Sequence, residues 1–163
     1  YLVAVMDWWS RYVLAWRLSN TMEAAFCVAA WEGALVKAQR LGRRAPAVAN
    51  SDQGSQFTST EYIEAVESSE VRVSMDGRGR CLDNVFIERL WRSLKYEDIY
   101  LRDYENGPTL VRGVGKWFGH YNDCRPHQAL GYCTPGELYR SPESYGAKPA
   151  GWIQSLNPDR FRW

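Results

Sequence analysis

At 163 residues the chain has room for one domain with a real core and too little for two. Its apolar share of 45% and charged share of 24% are ordinary for a globular protein, and a net charge of +1 excludes a uniformly basic coat, so any nucleic-acid surface must be local. No apolar run approaches the roughly 18 residues of a membrane span and no signal peptide is visible, which makes the cytoplasm the expected compartment.

The four cysteines, Cys27, Cys81, Cys124 and Cys133, are widely spaced without a CxxC pair, as suits reduced thiols. Cys124-x-x-His127 with Cys133 has no fourth ligand nearby to complete a zinc site. Eight Trp are first of all core material.

The chain opens at Tyr1, without an initiator Met, on an apolar run to Met6 that reads as a strand buried on both faces. Asp7-Trp8-Trp9-Ser10-Arg11 turns the chain, and Tyr12 to Leu18 reads as an antiparallel partner. Asn20 and Glu23 stand at capping-box spacing before an Ala-rich helix expected over Thr21 to Arg40, with Phe26, Ala30 and Val36 towards the sheet. Lys37, Arg40, Arg43 and Arg44 suit its carboxyl end.

Pro46 to Ala49 reads as a short strand that delivers Asn50, Ser51 and Asp52 to its carboxyl end, the edge where open α/β sheets bind ligands. Gly54 permits a tight loop, and Thr58 with Glu61 matches a capping box for a helix to about Ser68. Val71 to Met75 is a further strand, followed by the basic loop Asp76-Gly-Arg78-Gly-Arg80. Asp83 or Asn84 can cap a helix to about Glu97, whose Val85, Ile87, Leu90, Trp91 and Leu94 are apolar while Glu88, Arg92 and Lys95 form a polar stripe. A last helix is expected from Pro108 to about Asn122, weakened by Gly113, Gly115 and Gly119 at about 1 kcal/mol each relative to Ala. The content of Pro, Gly and Ser makes residues 141–163 an irregular tail, and no internal repeat is visible.

Asp52 and Glu88 stand with thirty-five residues between them, and Lys95 follows Glu88 by seven positions, two turns along one helical face. Phosphodiester cleavage and strand transfer need an activated oxygen and a stabilised leaving oxygen in line, which two cations about 4 Å apart supply when held by a few carboxylates. Mg²⁺ accepts such sparse ligation because phosphate oxygens and waters complete its octahedron. Two acids alone would be unremarkable surface charges; their neighbours add the information.

Asn50-Ser51-Asp52-Gln53-Gly54-Ser55-Gln56-Phe57-Thr58-Ser59, the Glu88 helix with Arg89 and Lys95, and Asn122-x-x-Arg125-Pro126-His127 closely resemble the integrase catalytic core of bacterial insertion-sequence transposases, the group similar to retroviral integrases. The resemblance covers residues 1–140. It implies an α/β, ribonuclease-H-like mixed sheet flanked by helices, Mg²⁺ or Mn²⁺ as cofactor, and DNA cutting and joining through an aspartate, aspartate, glutamate triad. Asp52 matches the second acid and Glu88 the third, both as catalytic and metal-binding residues. Lys95 matches the basic residue near the transposon end; Arg92, Arg89, Arg78, Arg80 and Gln53 are further candidates for DNA.

In that family the first acid lies on a central strand upstream of the one matching Tyr1 to Met6, so the resemblance implies a core incomplete at its N-terminus. Asp7 is the substitute within this chain, against a turn-capping role. DNA ends and target, and further transposase subunits, are the expected partners, with nucleoid association when bound to DNA. Two other readings are an inactive fragment that binds DNA or partner subunits, and a nuclease of the ribonuclease H type. Arg89 and Arg92 can alternatively pair with Glu88, Asp83 or Glu97, and His127 reads first as a satisfied structural histidine.

Overall fold

The computed structural model describes residues 1–75 and 85–141. Its first strand β1 (Leu2–Met6) pairs antiparallel with β2 (Val13–Leu18), Leu2 opposite Leu18 and Ala4 opposite Trp16, with a register irregularity between Val5 and Met6. Period-two alternation sends Val3 and Val5 into one hydrophobic cluster and Leu2, Ala4 and Met6 into another, so the strand is buried on both faces as its apolar run predicts. Asp7 closes the turn: its Oδ2 accepts from the Ser10 amide at 2.8 Å and the Ser10 hydroxyl at 2.6 Å. That is the turn-capping role.

Helix α1 (Ala24–Arg40) covers the first cluster. It starts later than expected, at Ala24, and Glu23 occupies the N-cap without a side-chain bond, so the Asn20 capping box does not form. Cys27, Ala30, Trp31, Ala34 and Ala38 make the buried stripe, whereas Val36 is 46% exposed. Small alanines let the helix lie close to the sheet, Trp31 is the bulkiest residue of the stripe, Phe26 packs against the same cluster as expected, and Val36 falls on the opposite side. At the carboxyl end Arg43 donates to the Tyr139 carbonyl oxygen from Nε (3.0 Å) and Nη2 (2.6 Å), and the Lys37 ammonium stands 4.7 Å from the Tyr12 ring centroid.

Strand β3 (Val48–Ser51) runs parallel to β4 (Arg72–Met75), with α2 (Thr60–Glu67) between them. Ser59 caps α2 by accepting from the Tyr62 amide, in place of the expected Thr58 and Glu61 pair. Tyr62 and Val66 join α2 to the first cluster.

Helix α3 (Val85–Leu94) and α4 (Gly107–Asp123) form the second cluster with the opposite face of β1 and β2. The expected continuation of α3 to Glu97 is instead a π-helical turn, Lys95–Ile99, in which the Tyr100 amide donates to the Lys95 carbonyl at 2.9 Å. Within this turn Asp98 is buried, accepting from the Tyr104 hydroxyl at 2.5 Å and pairing with Arg102 at 2.6 Å. These bonds hold the widened turn, and burial followed by the Asp98 hydrogen bond pushes the Tyr104 hydroxyl up to about 12.

Helix α4 has a full capping box, Asn106 with Thr109, and Pro108 in its first turn. Two of its glycines have a packing reason: a Cβ at Gly113 would overlap the Tyr104 ring, and one at Gly115 would stand 3.3 Å from Trp16. Beyond it a 3₁₀ turn (Gln128–Leu130) leads to α5 (Pro135–Arg140), which the sequence reading did not foresee. Tyr139 stacks on Tyr12 with ring centroids 4.8 Å apart, and Arg140 pairs with Asp123 at 2.9 Å. The helices thus flank a mixed set of strands on two faces, and the described strands form two separate pairs, β1 with β2 and β3 with β4.

Candidate metal and nucleic-acid site

Strand β3 ends at Ser51, which places Asp52 at the first position beyond its carboxyl end. The Asp52 side chain is exposed, and its Oδ1 accepts from the Gly54 amide at 2.8 Å, which fixes the carboxylate against its own loop. Gly54 makes this approach possible, since a Cβ there would lie 2.9 Å from Asp52 Oδ1 and 2.6 Å from Gln56 Nε2. The Gly54 carbonyl accepts from the Phe57 and Thr58 amides at 2.9 and 3.1 Å, and Phe57 packs edge-on against Tyr62 at 5.2 Å. A short, internally bonded loop anchored by one aromatic contact therefore presents the acid.

Asp52 also imposes a field on its surroundings. The Cys27 thiol is pushed up to about 11 by burial and, second, by the negative charge of Asp52. Burial and then Cys27 push the Tyr62 hydroxyl up to about 12. Both groups therefore remain protonated and neutral at pH 7.

Glu88 is exposed on the first turn of α3. The helix is held by its other residues: Leu90 and Leu94 are buried, and Ile87 and Trp91 pack against the second cluster. Phe86 reaches the turn between β1 and β2, edge-on to Trp8 at 5.8 Å and with the Arg11 guanidinium 2.9 Å from its ring centroid. Arg89, Arg92 and Lys95 are exposed. The ion pairs expected from helical spacing do not form among the described residues; Glu97 pairs instead with Arg125 at 2.5 Å and accepts from Trp117 Nε1. The Arg92 guanidinium stands 6.0 Å from the Tyr96 ring centroid. Arg78, Arg80, Asp83 and Asn84 lie outside the described residues.

A cavity of about 1040 Å³ is bordered by residues from the Asp52 loop and from α3, and Glu88 itself is not one of them. Asp52 and Ser51 border it from β3, and Ile87 and Trp91 border it from α3, on either side of Glu88 in sequence. The structure thus sets the Asp52 loop and the Glu88 helix on the rim of one space. Among the described residues no three His, Cys, Asp or Glu side chains gather as a metal-holding group, neither around Asp52 and Glu88 nor at Cys124, His127 and Cys133.

The third motif has a structural role. Asn122 is buried, its Oδ1 accepting from the Val13 amide and its Nδ2 donating to the Val13 carbonyl, each at 2.9 Å. The backbone of His127 is a hub, donating to Cys133 and accepting from Leu130 and Tyr132, while its ring stands edge-on to Tyr121 at 4.9 Å. Its Nε2 is buried without a hydrogen-bond partner, so the expectation of a satisfied histidine holds for the backbone and not for this ring nitrogen. Burial, then Arg125 and Arg11, lowers the imidazole to about 4 against an opposing contribution from Glu97, leaving it neutral at pH 7.

Two integrase core domain models match the chain, one over residues 1–81 and one over residues 69–135. The chain belongs to the integrase core domain family. It is 30% identical over 139 residues to the transposase InsF for insertion sequence IS3A of Escherichia coli, covering 85% of this chain and 47% of that protein. Against the transposase for insertion sequence element IS629 of Shigella sonnei, identity is 28% over 141 residues, with 86% and 46% covered. The chain spans about half the length of the transposases it matches.

Among solved structures, the catalytic core domain of BIV integrase aligns with a TM-score of 0.64 at 17% identity, 90% of each chain being covered. The HTLV-2 integrase catalytic core domain in complex with magnesium aligns with a TM-score of 0.59 at 21% identity, covering 82% of this chain and 80% of that one. These likenesses identify the fold of this family member as the ribonuclease-H-like fold of integrase catalytic cores.

Proposed function

We propose that residues 1–140 of this integrase-family chain are the DNA-processing core of an insertion-sequence transposase, acting in metal-dependent phosphodiester cleavage and strand transfer. The observation that carries the reading is the rigid presentation of Asp52 at the end of β3, on the rim of the same cavity that α3 borders on both sides of Glu88. Asp52 and Glu88 are the residues that would hold Mg²⁺ or Mn²⁺. Both are exposed oxygen donors, and their small number suits a cation that keeps waters and phosphate oxygens in its shell. Bound there, such a cation lowers the pKa of an attacking water and neutralises the leaving oxygen.

The protein's own contributions are distinct from that chemistry. Gly54 holds one oxygen of Asp52 and so fixes the carboxylate's rotation. Lys95, Arg92 and Arg89, beside Glu88 on an exposed helix face, would draw the phosphate backbone towards the acids, with exposed Gln53 next to Asp52 in sequence. The match to transposases and the integrase core family supports DNA, transposon ends and target alike, as substrate. The HTLV-2 core, described in dimeric and trimeric forms, supports self-association. Among the described residues no helix is long and apolar enough to cross a membrane, and a cytoplasmic protein that joins the nucleoid through DNA fits this activity.

Mn²⁺ binding to the full chain, read by electron paramagnetic resonance, tests the assignment. Asp52→Asn and Glu88→Gln are each expected to weaken it at least about tenfold, the loss of one charged ligand. Unchanged binding in both variants would remove the two acids from the site. A duplex oligonucleotide assay scoring joined as well as hydrolysed products then separates strand transfer from simple nuclease action.

A further inference from the structure

Helix α3 and the π-helical turn that follows it carry two rows of residues spaced four apart. Leu90, Leu94 and Asp98 are buried, while Glu88, Arg92, Tyr96 and Tyr100 are exposed. Residues four apart are neighbours on a helix and residues two apart lie on nearly opposite sides, so burying the first row turns the second to solvent. The π-helical turn keeps the exposed row together. Four residues overshoot one turn of an α-helix and fall short of one turn of the wider helix, so the drift of the row around the axis reverses from Lys95 onward. Asp98, held by Tyr104 and Arg102, fixes the widened turn from the buried side.

Tyr96 and Tyr100 are each 63% exposed, and their rings meet edge to face with centroids 5.3 Å apart and planes at 88°. The ring that supplies its edge has neither face covered by its partner, so aromatic surface stays open to solvent. Its surroundings are positive. The carboxylates of the turn itself are offset, Asp98 by Arg102 at 2.6 Å and Glu97 by Arg125 at 2.5 Å. Lys95 is exposed beside Tyr96, and the Arg92 guanidinium stands 6.0 Å from the Tyr96 ring centroid. Open aromatic faces among cations suit unpaired nucleotides, the rings stacking on bases while the cations follow the phosphates. A purely apolar partner would desolvate Arg92 and Lys95 without offering them a counter-charge.

We propose that Tyr96 and Tyr100 form a stacking platform for an unpaired DNA base, which makes a duplex with a frayed end the preferred substrate over a fully paired one. This platform rests on the reading of α3 as the DNA-facing helix and adds to it a preference for single-stranded ends. Along the helix axis Tyr96 lies about 12 Å from Glu88, at about 1.5 Å per residue. At about 3.4 Å per nucleotide of one strand, the stacked base stands roughly three to four nucleotides from the phosphate beside Glu88. Arg92, midway along the row, would meet the intervening backbone.

The test uses the full chain and two DNA probes of one sequence, one fully paired and one with about five terminal nucleotides left unpaired, at a single salt concentration. Fluorescence anisotropy should show the frayed probe bound about five- to hundredfold tighter, the effect of one stacked base. Tyr96→Ala and Tyr100→Ala should each reduce that preference severalfold and leave the paired probe bound as before. Tyr96→Phe should retain it, because the ring and not the hydroxyl makes the contact. 5-Iododeoxyuridine in the unpaired stretch should photocrosslink to Tyr96 or Tyr100. Equal binding of the two probes, or a preference that survives the double alanine variant, would overturn the platform while leaving α3 as a DNA-binding helix. Lys95→Ala should weaken both probes alike. A chain that binds neither probe would overturn the DNA reading and the platform with it. Self-association lost in the alanine variants, with the preference for frayed ends intact, would overturn the platform in favour of a protein contact at the two tyrosines.

Discussion

Asn122 and Val13 lie 109 positions apart in sequence and are joined by two hydrogen bonds of 2.9 Å, the Asn side-chain amide closing on both polar groups of the Val13 backbone. Val13 is the first residue of β2, so one side chain stitches the end of α4 to the strand pair on which α3 rests. Asn122→Ala leaves a buried donor and a buried acceptor unpaired, a loss of about 2–4 kcal/mol. Urea unfolding should show that loss, and a change below about 0.5 kcal/mol would mean that water replaces the amide without cost.

Two glycines of the same helix should respond with opposite signs. Gly119→Ala meets nothing within 4 Å and gains helix propensity, so it should stabilise by about 0.5–1 kcal/mol. Gly113→Ala would drive the new Cβ into Tyr104, pulling the Tyr104 hydroxyl from Asp98 and loosening the π-helical turn that follows α3. That variant should lose about 1–3 kcal/mol despite the same gain in propensity. Thermal melts of the pair decide the point; stabilisation by both would show that Tyr104 swings away freely.

The behaviour of these residues also explains which parts of the fold could be read from sequence. The run from Leu2 to Met6 announced a strand buried on both faces because strand periodicity is local, and Val3 and Val5 do separate from Leu2, Ala4 and Met6. Asp52 was legible for a similar reason: a short strand followed by Gly54 dictates a tight presentation of the intervening acid. Val36 was misplaced because α1 is apolar nearly all round, so its weak amphipathicity left the inward face undetermined. The π-helical turn depends on Tyr104 and Arg102 closing on Asp98, a contact that Lys95-Tyr-Glu-Asp-Ile does not spell out. The fifth helix does carry a signal, Thr134-Pro135-Gly136-Glu137, a capping box with Pro in the first turn, set among turn-forming residues that mask it. The clamp on Val13 had no local signal.

His127 predicts the acid limb of the stability curve. Its folded pKa of about 4 lies below the unfolded value of 6.5, so the unfolded chain binds the extra proton first as pH falls. The stability tied to the neutral ring is complete above pH 6.5 and is lost as pH drops towards 4. On a ring still partly exposed the effect is on the order of 1–2 kcal/mol. His127→Gln should flatten the dependence between pH 6.5 and 5, a window above most carboxylate titration. An unchanged slope in that variant would assign the acid sensitivity to other groups.

The cations beside Glu88 make the DNA reading quantitative. Lys95 and Arg92 are exposed on the Glu88 helix and its π-helical extension, whereas Arg102, a turn further on, spends its charge on buried Asp98 at 2.6 Å. If Lys95 and Arg92 neutralise phosphates, replacing either with Ala should weaken binding to duplexes of any sequence and reduce the slope of log K against log salt by about 0.9. Arg102→Ala removes the same formal charge from the same region, yet should leave that slope unchanged because Asp98 already offsets it. A salt titration of the three variants on one oligonucleotide separates local phosphate contact from overall charge: equal slope changes in all three would favour a diffuse field, and no change for Lys95 would remove that residue from the DNA path.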